Sequence, residues 1–169
     1  MDVRDNFKDG NYIFNNKKEN DFDASNFISL CDLVKRFNKL YTLYKKELDK
    51  VDSKDMIKRM MLIEKHIDLF NLYCFFKNKC VYYDGKYILH TKIDSVILED
   101  VKSFSIGFGN MYGEYVCIVI NIGKNFGIDY ENSMYYENNR KEKLNSDSWK
   151  KVYKKTYISK EYIKNDLVI

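Results

Sequence analysis

The chain has 169 residues, of which 45% are hydrophobic and 32% charged, with a formal net charge of +4. This length and apolar content predict one globular domain with its own core, and they exclude a wholly disordered chain. No stretch approaches the ~18 uninterrupted apolar residues of a membrane span, so an integral membrane protein is excluded and no membrane partner is expected.

The composition is biased towards Lys, Asn, Tyr and Phe, and the sequence contains no proline. This bias is typical of an AT-rich genome, so the lysine content alone is weak evidence for a function. The four cysteines, Cys31, Cys74, Cys80 and Cys117, lack the close spacing of zinc or redox motifs. Free cysteines and the absence of an apolar leader behind Met1 predict a cytoplasmic protein.

The strongest pattern in the sequence predicts two long helices. In the first, apolar side chains recur at steps of three and four: Phe27, Leu30, Val34, Phe37, Tyr41, Tyr44, Leu48 and Val51. The second stripe is Met56, Met60, Ile63, Ile67, Phe70 and Cys74. Because only a few residues connect the stripes, we expect a long antiparallel helical hairpin formed by residues 24–51 and 53–78. The same heptad spacing would also suit a homodimer in which two hairpins make a four-helix bundle.

From residue 80 the apolar period changes to two, which is typical of strands. Asp84-Gly85 lies between two alternating runs and predicts a hairpin. Further strand candidates at residues 95–98, 103–108, 114–122 and 126–130 predict an antiparallel sheet over residues 80–130, because no helical pattern separates them. The run at 114–122 is apolar on both faces, so we expect it at the centre of the sheet.

The remaining segments are predicted less sharply. Residues 131–147 lose periodicity and are expected to form a loop, while a C-terminal basic helix and a strand fit residues 148–158 equally well. A short strand is expected near Tyr12 in an otherwise loose N-terminal arm, residues 1–22. The predicted fold is therefore α+β in a single domain over residues 1–169, with the helical hairpin packed on the sheet.

Sequence patterns for catalysis are weak throughout the chain. Cys80 and His90 are formally a nucleophile and a base, but no local motif supports them. The segment Gly107–Gly113 is glycine-rich without the spacing of a phosphate loop, and a wide hairpin turn explains it better. The sequence contains no cluster of histidines and cysteines with the spacing of a zinc site. We therefore expect no enzymatic activity, no cofactor and no metal.

A metal-dependent nuclease is the most distant of the alternatives. Such enzymes place one acidic residue on a strand and an acid-x-Lys tripeptide on the next, where the carboxylates hold a metal and the lysine orients water. Asp84 and the tripeptide Asp100-Val101-Lys102 have this order. The tripeptide is common by chance in a chain so rich in Asp and Lys.

Nucleic-acid binding is the alternative with the better support. Residues 133–169 hold 9 Lys/Arg and 5 Asp/Glu, whereas the charges of residues 1–132 balance, so the whole net charge of +4 lies in the last 37 residues. Lysines there alternate with aromatic residues that could stack on bases while the lysines neutralise phosphates. The candidate residues are Trp149, Lys150, Lys151, Tyr153, Lys154 and Lys155.

Protein binding is the function that the sequence favours. Tyr130, Tyr135 and Tyr136 fall in a predicted loop, and tyrosine is over-represented in binding hot spots. Packing of these tyrosines onto the sheet is an equally good explanation for them. The prediction is a non-enzymatic protein-binding module, such as a small inhibitor, immunity protein or phage or mobile-element accessory protein, with an unidentified protein partner.

Overall fold

The computed structural model describes residues 11–13, 26–83, 87–110, 114–137, 140–143, 153–154, 156–160 and 163. These ranges form three α-helices and two β-sheets, which confirms the α+β class. The helices are α1 (Leu30–Leu48), α2 (Met56–Lys65) and α3 (Ile67–Lys77). No helix within the described ranges is long and apolar enough to cross a lipid bilayer.

The strands fall into two sheets. The larger sheet has the order β3-β4-β5-β6-β8-β9, with the short β7 also paired to β6, and every pairing in it is antiparallel. Its strands are β3 (Asn78–Tyr83), β4 (Tyr87–Lys92), β5 (Ser103–Asn110), β6 (Glu114–Asn121), β7 (Gly127–Ile128), β8 (Met134–Glu137) and β9 (Arg140–Lys143). The smaller sheet has the order β1-β10-β2, with β1 (Asn11–Ile13), β2 (Phe27–Ser29) and β10 (Thr156–Ser159). The predicted antiparallel sheet is thus confirmed, and β6 lies inside it as expected.

The first helix begins later than predicted. Phe27 and Ile28 belong to β2, where they pair with Ser159 and Ile158 of β10. Ser29 has an extended backbone and its hydroxyl accepts the backbone N–H of Asp32 at 3.1 Å, which caps the first turn of α1. The predicted start near residue 24 is wrong because strand pairing takes the two apolar residues before the cap.

The predicted second helix is two helices. His66 separates α2 from α3 with a non-helical backbone, φ −107° and ψ 35°. Asp55 caps α2 by accepting the backbone N–H of Lys58 at 3.1 Å. The break allows α3 to pack in the core while α2 stays at the surface.

The predicted apolar stripe of the second helix is not its buried face, because its members in α3, Ile67, Phe70 and Cys74, are only half-buried and the buried residues of α3 lie beside them. There Leu69, Leu72, Tyr73, Phe75 and Phe76 are buried. None of the ten residues of α2, all of which the structure describes, is buried. Met56 and Met60, which the pattern places in the seam, are 63% and 61% exposed.

The core lies between α1, α3 and one face of the larger sheet. Phe37 of α1 contacts Phe76 of α3 and Phe104 of β5, with ring centroids 5.5 and 5.6 Å apart and near edge-to-face geometry. Tyr44, two turns after Phe37, contacts Phe70 at 5.5 Å, so α3 runs antiparallel to α1. These aromatic contacts fix α3 against α1 and the sheet.

Three further predictions are corrected by the strands. Residues 131–147 are not a loop throughout, because β8 pairs with β6 and β9 pairs with β8. Residues 95–98 form no strand and lead into a 3-10 turn at Leu98–Asp100. The candidate at 126–130 contains only the two-residue β7.

The described part of the C-terminal segment contains both helical and strand residues. Tyr153 and Lys154 are helical, and β10 follows at Thr156–Ser159. β10 pairs in parallel with β1 and antiparallel with β2. The short strand predicted near Tyr12 is β1, and the rest of the arm at 1–22 lies outside the described residues.

Candidate functional site

The most exposed apolar residues of the described chain concentrate on α2 and on the loop that follows β4. We call this set the α2 surface. It consists of Met56, Ile57, Met60, Met61, Ile63, Val96 and Ile97, with exposed fractions between 37% and 84%. With each side chain exposing on the order of 100 Å², the surface amounts to about 700 Å², more than the apolar patch of a typical monomer.

α2 is attached to the molecule by its opposite side. Leu62 is partly buried against the core. The guanidinium of Arg59 lies 3.7 Å from a carboxylate oxygen of Glu99, in the loop that carries Val96 and Ile97. This ion pair places the loop beside α2, so that the helix and the loop present their apolar side chains from neighbouring positions.

The loop at residues 94–101 is fixed by tyrosine hydroxyls. Tyr41 donates to the backbone carbonyls of Glu99 and Val101, at 2.9 and 3.0 Å. Tyr73 lies within hydrogen-bond distance of the carbonyls of Ser95 and Val96, at 3.2 and 3.0 Å. A segment held in this way presents Val96, which is 84% exposed, from a defined backbone position.

Tyr44 adds a third tyrosine to the same loop. Its hydroxyl donates to the Glu99 carboxylate at 3.1 Å. Burial, and then the negative charge of Glu99, raise the pKa of both Tyr41 and Tyr44 to about 12. Both phenols therefore remain protonated donors well above neutral pH, and they keep the loop in place.

The C-terminal end of α2 is held by a carboxylate from α1. Glu47 accepts hydrogen bonds from the ammonium group of Lys65 and pairs with the Nε2 atom of His66. Lys65 and His66 together hold the pKa of Glu47 below its usual value. The Glu47 carboxylate of α1 thus holds the helix break through its contacts with Lys65 and His66.

The three tyrosines predicted to bind a partner have different environments. Tyr130 is 45% exposed in the turn between β7 and β8. Tyr135 is half-buried and packs against the core. Tyr136 is half-buried, and its ring centroid lies 6.0 Å from that of Tyr115. Of the predicted three, Tyr130 is the one with an exposed side chain.

The predicted nucleic-acid residues are described only in part. Tyr153 is 7% exposed within the core, so its ring does not face a surface open to a base. Lys154 is exposed, while Trp149, Lys150, Lys151 and Lys155 lie outside the described residues. Lys154 lines an open cleft of about 480 Å³ together with Lys35, Lys160 and Tyr157, and Asp32 is the acidic residue in its lining.

The catalytic candidates of the sequence are placed as follows. Cys80 and His90 lie directly opposite each other on β3 and β4, yet no hydrogen bond joins them or orients the His90 ring among the described residues. Gly107 and Gly109 are inside β5 rather than in a turn.

No group of three or more His, Cys, Asp or Glu side chains in the described ranges could hold a metal ion. Asp100 and Lys102 are exposed, and Asp84 lies outside the described residues.

A scan against protein-family models finds no match to this chain, and neither does a search of curated proteins or of solved structures.

Proposed function

We propose that the protein is a non-enzymatic binding module that docks on another protein through the α2 surface. The observation that carries the proposal is the inverted amphipathicity of α2, whose large apolar residues face outwards while none of its described residues is buried. Exposing about 700 Å² of apolar surface to water is unfavourable by ~25 cal/mol per Å², and a protein partner would relieve that cost.

The chemistry of the surface supports this proposal. Three of its seven side chains are methionines, which are flexible and polarisable and are common on surfaces that adapt to a partner. The surrounding scaffold is rigid by contrast, because Tyr41, Tyr44 and Tyr73 fix the adjacent loop. Rigid presentation of apolar side chains lowers the entropy lost on binding. Small proteins that occlude a partner in this way include inhibitors, immunity proteins and phage or mobile-element accessory proteins, and we place the chain in that class.

The proposal is tested by affinity purification from the native cell with and without nuclease. We expect a stoichiometric protein partner that survives nuclease and is lost with Ile57→Lys. Ile57 is 74% exposed, so its replacement should leave folding intact. The matched control is Tyr130→Lys, which changes an exposed residue outside the α2 surface. Equal recovery of the partner by wild type and Ile57→Lys would refute docking through α2.

A second candidate function, nucleic-acid binding, is favoured by the cleft around Lys154. Its three lysines come from α1, from the segment before β10 and from the residue after β10, and no ion pair joins them to a described acid. Phosphate oxygens would suit this excess of positive charge. Binding of this kind should weaken steeply with salt and with Lys35→Glu or Lys154→Glu, whereas Ile57→Lys should not affect it.

A further inference from the structure

The α2 surface has the size of one half of a stable dimer interface. Its estimated ~700 Å² is close to the ~800 Å² that each partner contributes to a standard protein–protein interface. Five of its seven side chains come from one short helix, so the patch is compact rather than scattered. Two copies of the patch placed face to face would therefore bury enough apolar area for a specific complex.

The charges around the patch suit self-association. Asp55, Lys58 and Lys65 border the apolar arc of α2, and Glu64 lies within the arc, about 40° from Met60 on the helical wheel. A border of one sign would repel an identical border, whereas a mixed border does not. Arg59, the remaining cation of α2, is already paired with Glu99 on the inner side.

The position of a symmetry axis follows from the helix geometry. At 100° per residue the five apolar residues of α2 span an arc of about 160°, and Met60 lies near its middle. Closed homodimers are two-fold symmetric, and each residue on the axis meets its own copy. Met60 is thus the residue expected to contact itself.

From these observations we infer that the occupant of the α2 surface is a second copy of this chain, in a two-fold dimer whose axis passes near Met60. The inference rests on the proposed function and names the partner for the same surface. Each interface substitution is then present twice, so a single charge introduced near the axis creates a repelling pair within the interface.

Sedimentation equilibrium of the purified full chain over a wide concentration range tests this inference. The wild type should approach twice the 20.3 kDa chain mass. Met60→Lys and Met60→Glu should each weaken dimerisation by at least about tenfold, as expected for a central interface residue. An equimolar mixture of the two variants should restore the dimer, because a lysine and a glutamate then meet at the axis.

Controls separate this inference from misfolding and from the proposed function. Met60 is 61% exposed, so both variants should keep the wild-type circular dichroism spectrum and melting temperature, and Tyr130→Lys should dimerise as the wild type does. A wild type that stays monomeric, Met60 variants that still dimerise, or a mixture that stays monomeric would each overturn the two-fold dimer. A photo-crosslinker at Ile57 in the native cell then separates the two proposals: an adduct with a second copy supports the dimer, an adduct only with a different protein overturns the dimer and retains docking through α2, and no adduct with any protein removes both.

Discussion

Gly107 is required by one side chain on the outer face of the larger sheet. A Cβ atom added at Gly107 would lie 1.6 Å from the Tyr115 hydroxyl oxygen and 2.3 Å from the carbon that bears it. The Tyr115 ring therefore crosses over β5 at Gly107, where no side chain stands in its way. An aromatic ring that covers a glycine on a neighbouring strand shields the backbone there from water.

We expect Gly107→Ala to destabilise the protein by about 1–3 kcal/mol, because Tyr115 must move out of a packed position. Urea unfolding followed by circular dichroism measures the change. Ser105→Ala, on the same face of β5, is the control and should change stability by less than ~0.5 kcal/mol. In the Tyr115→Ala background the clash is absent, so Gly107→Ala should cost clearly less there.

Thr91 joins the end of α3 to the sheet through its hydroxyl. Its Oγ1 donates to the carbonyl of Phe75 and accepts the backbone N–H of Lys79, both at 3.0 Å, and the side chain is fully buried. Thr91→Val keeps the shape and removes both hydrogen bonds. The expected loss is about 1–3 kcal/mol in the free energy of unfolding.

The same substitution at Thr42 is a matched control. The hydroxyl of Thr42 also bonds a backbone carbonyl, that of Asn38 at 2.9 Å, but at an exposed position of α1 where water can replace it. Thr42→Val should change stability by less than ~0.5 kcal/mol in the same chemical denaturation experiment. Equal losses at the two positions would contradict a role for burial.

The loop at 94–101 depends on Tyr41 more than on any local propensity. Tyr41→Phe removes the donor to the carbonyls of Glu99 and Val101 and should lower the free energy of unfolding by about 1–2 kcal/mol at pH 7. The raised pKa, about 12 against 10 in the unfolded chain, stabilises the fold below pH 10, and this contribution is lost as the pH rises from 10 to 12. Unfolding free energies measured from pH 7 to 12 should therefore fall less steeply in Tyr41→Phe than in the wild type.

Glu47 makes the attachment of α2 sensitive to acid. Its pKa is lowered in the folded protein, chiefly by the hydrogen bond from Lys65 and then by that from His66, so its contribution is complete above the unfolded value near 4.5 and is lost as the pH falls through the lower folded value. Glu47→Gln should be less stable than the wild type at pH 7, and this difference should shrink as the pH falls below about 4.5. Thermal melts at a series of pH values test this, with Glu131→Gln in the β7–β8 turn as the control. A difference that stays constant down to pH 3 would contradict the role assigned to Glu47.

The elements that the sequence predicts well are those whose burial follows from their own pattern. α1 buries the stripe from Leu30 to Leu48, and β5 and β6 follow the period of two. The sequence does not predict β8 and β9, because the residues around Tyr135 and Tyr136 show no alternation of apolar and polar side chains. β8 is a strand because it pairs with β6, and β9 because it pairs with β8. β2 escapes it because Phe27 and Ile28 fit a helical stripe as well as a strand, and the choice depends on β10, more than 120 residues away.

The sequence pattern does not predict the α2 surface, for a related reason. Met56, Met60 and Ile63 have the same spacing as the buried residues of α3, so the pattern cannot tell an exposed stripe from a core stripe. The exposed stripe of α2 and the buried face of α3 are separated by the helix break at His66, and no proline or glycine in the sequence marks this break. The three tyrosine candidates rest on residue type alone, and Tyr130 is the exposed one among them.

Among the strands that the structure describes, β9 is at one edge of the larger sheet and has the charged sequence Arg-Lys-Glu-Lys. An edge strand exposes unpaired backbone groups, and charged side chains on it discourage pairing with another chain. The larger sheet therefore ends on this side in a strand that resists edge-to-edge addition. This leaves the helical α2 surface, rather than this sheet edge, as the favoured place for a second copy.

The order of strands in the smaller sheet has a consequence for how the chain acquires its structure during translation. β10 lies between β1 and β2 and carries Ile158, which is fully buried. The ribosome releases β1 and β2 first, yet neither has a neighbour to pair with until residues 156–159 have emerged. The three described helices and the strands of the larger sheet lie within residues 30–143 and are synthesised before β10. The smaller sheet can form only after residues 156–159 have emerged, so a nascent chain halted shortly before β10 would contain β1 and β2 without the strand that pairs with both.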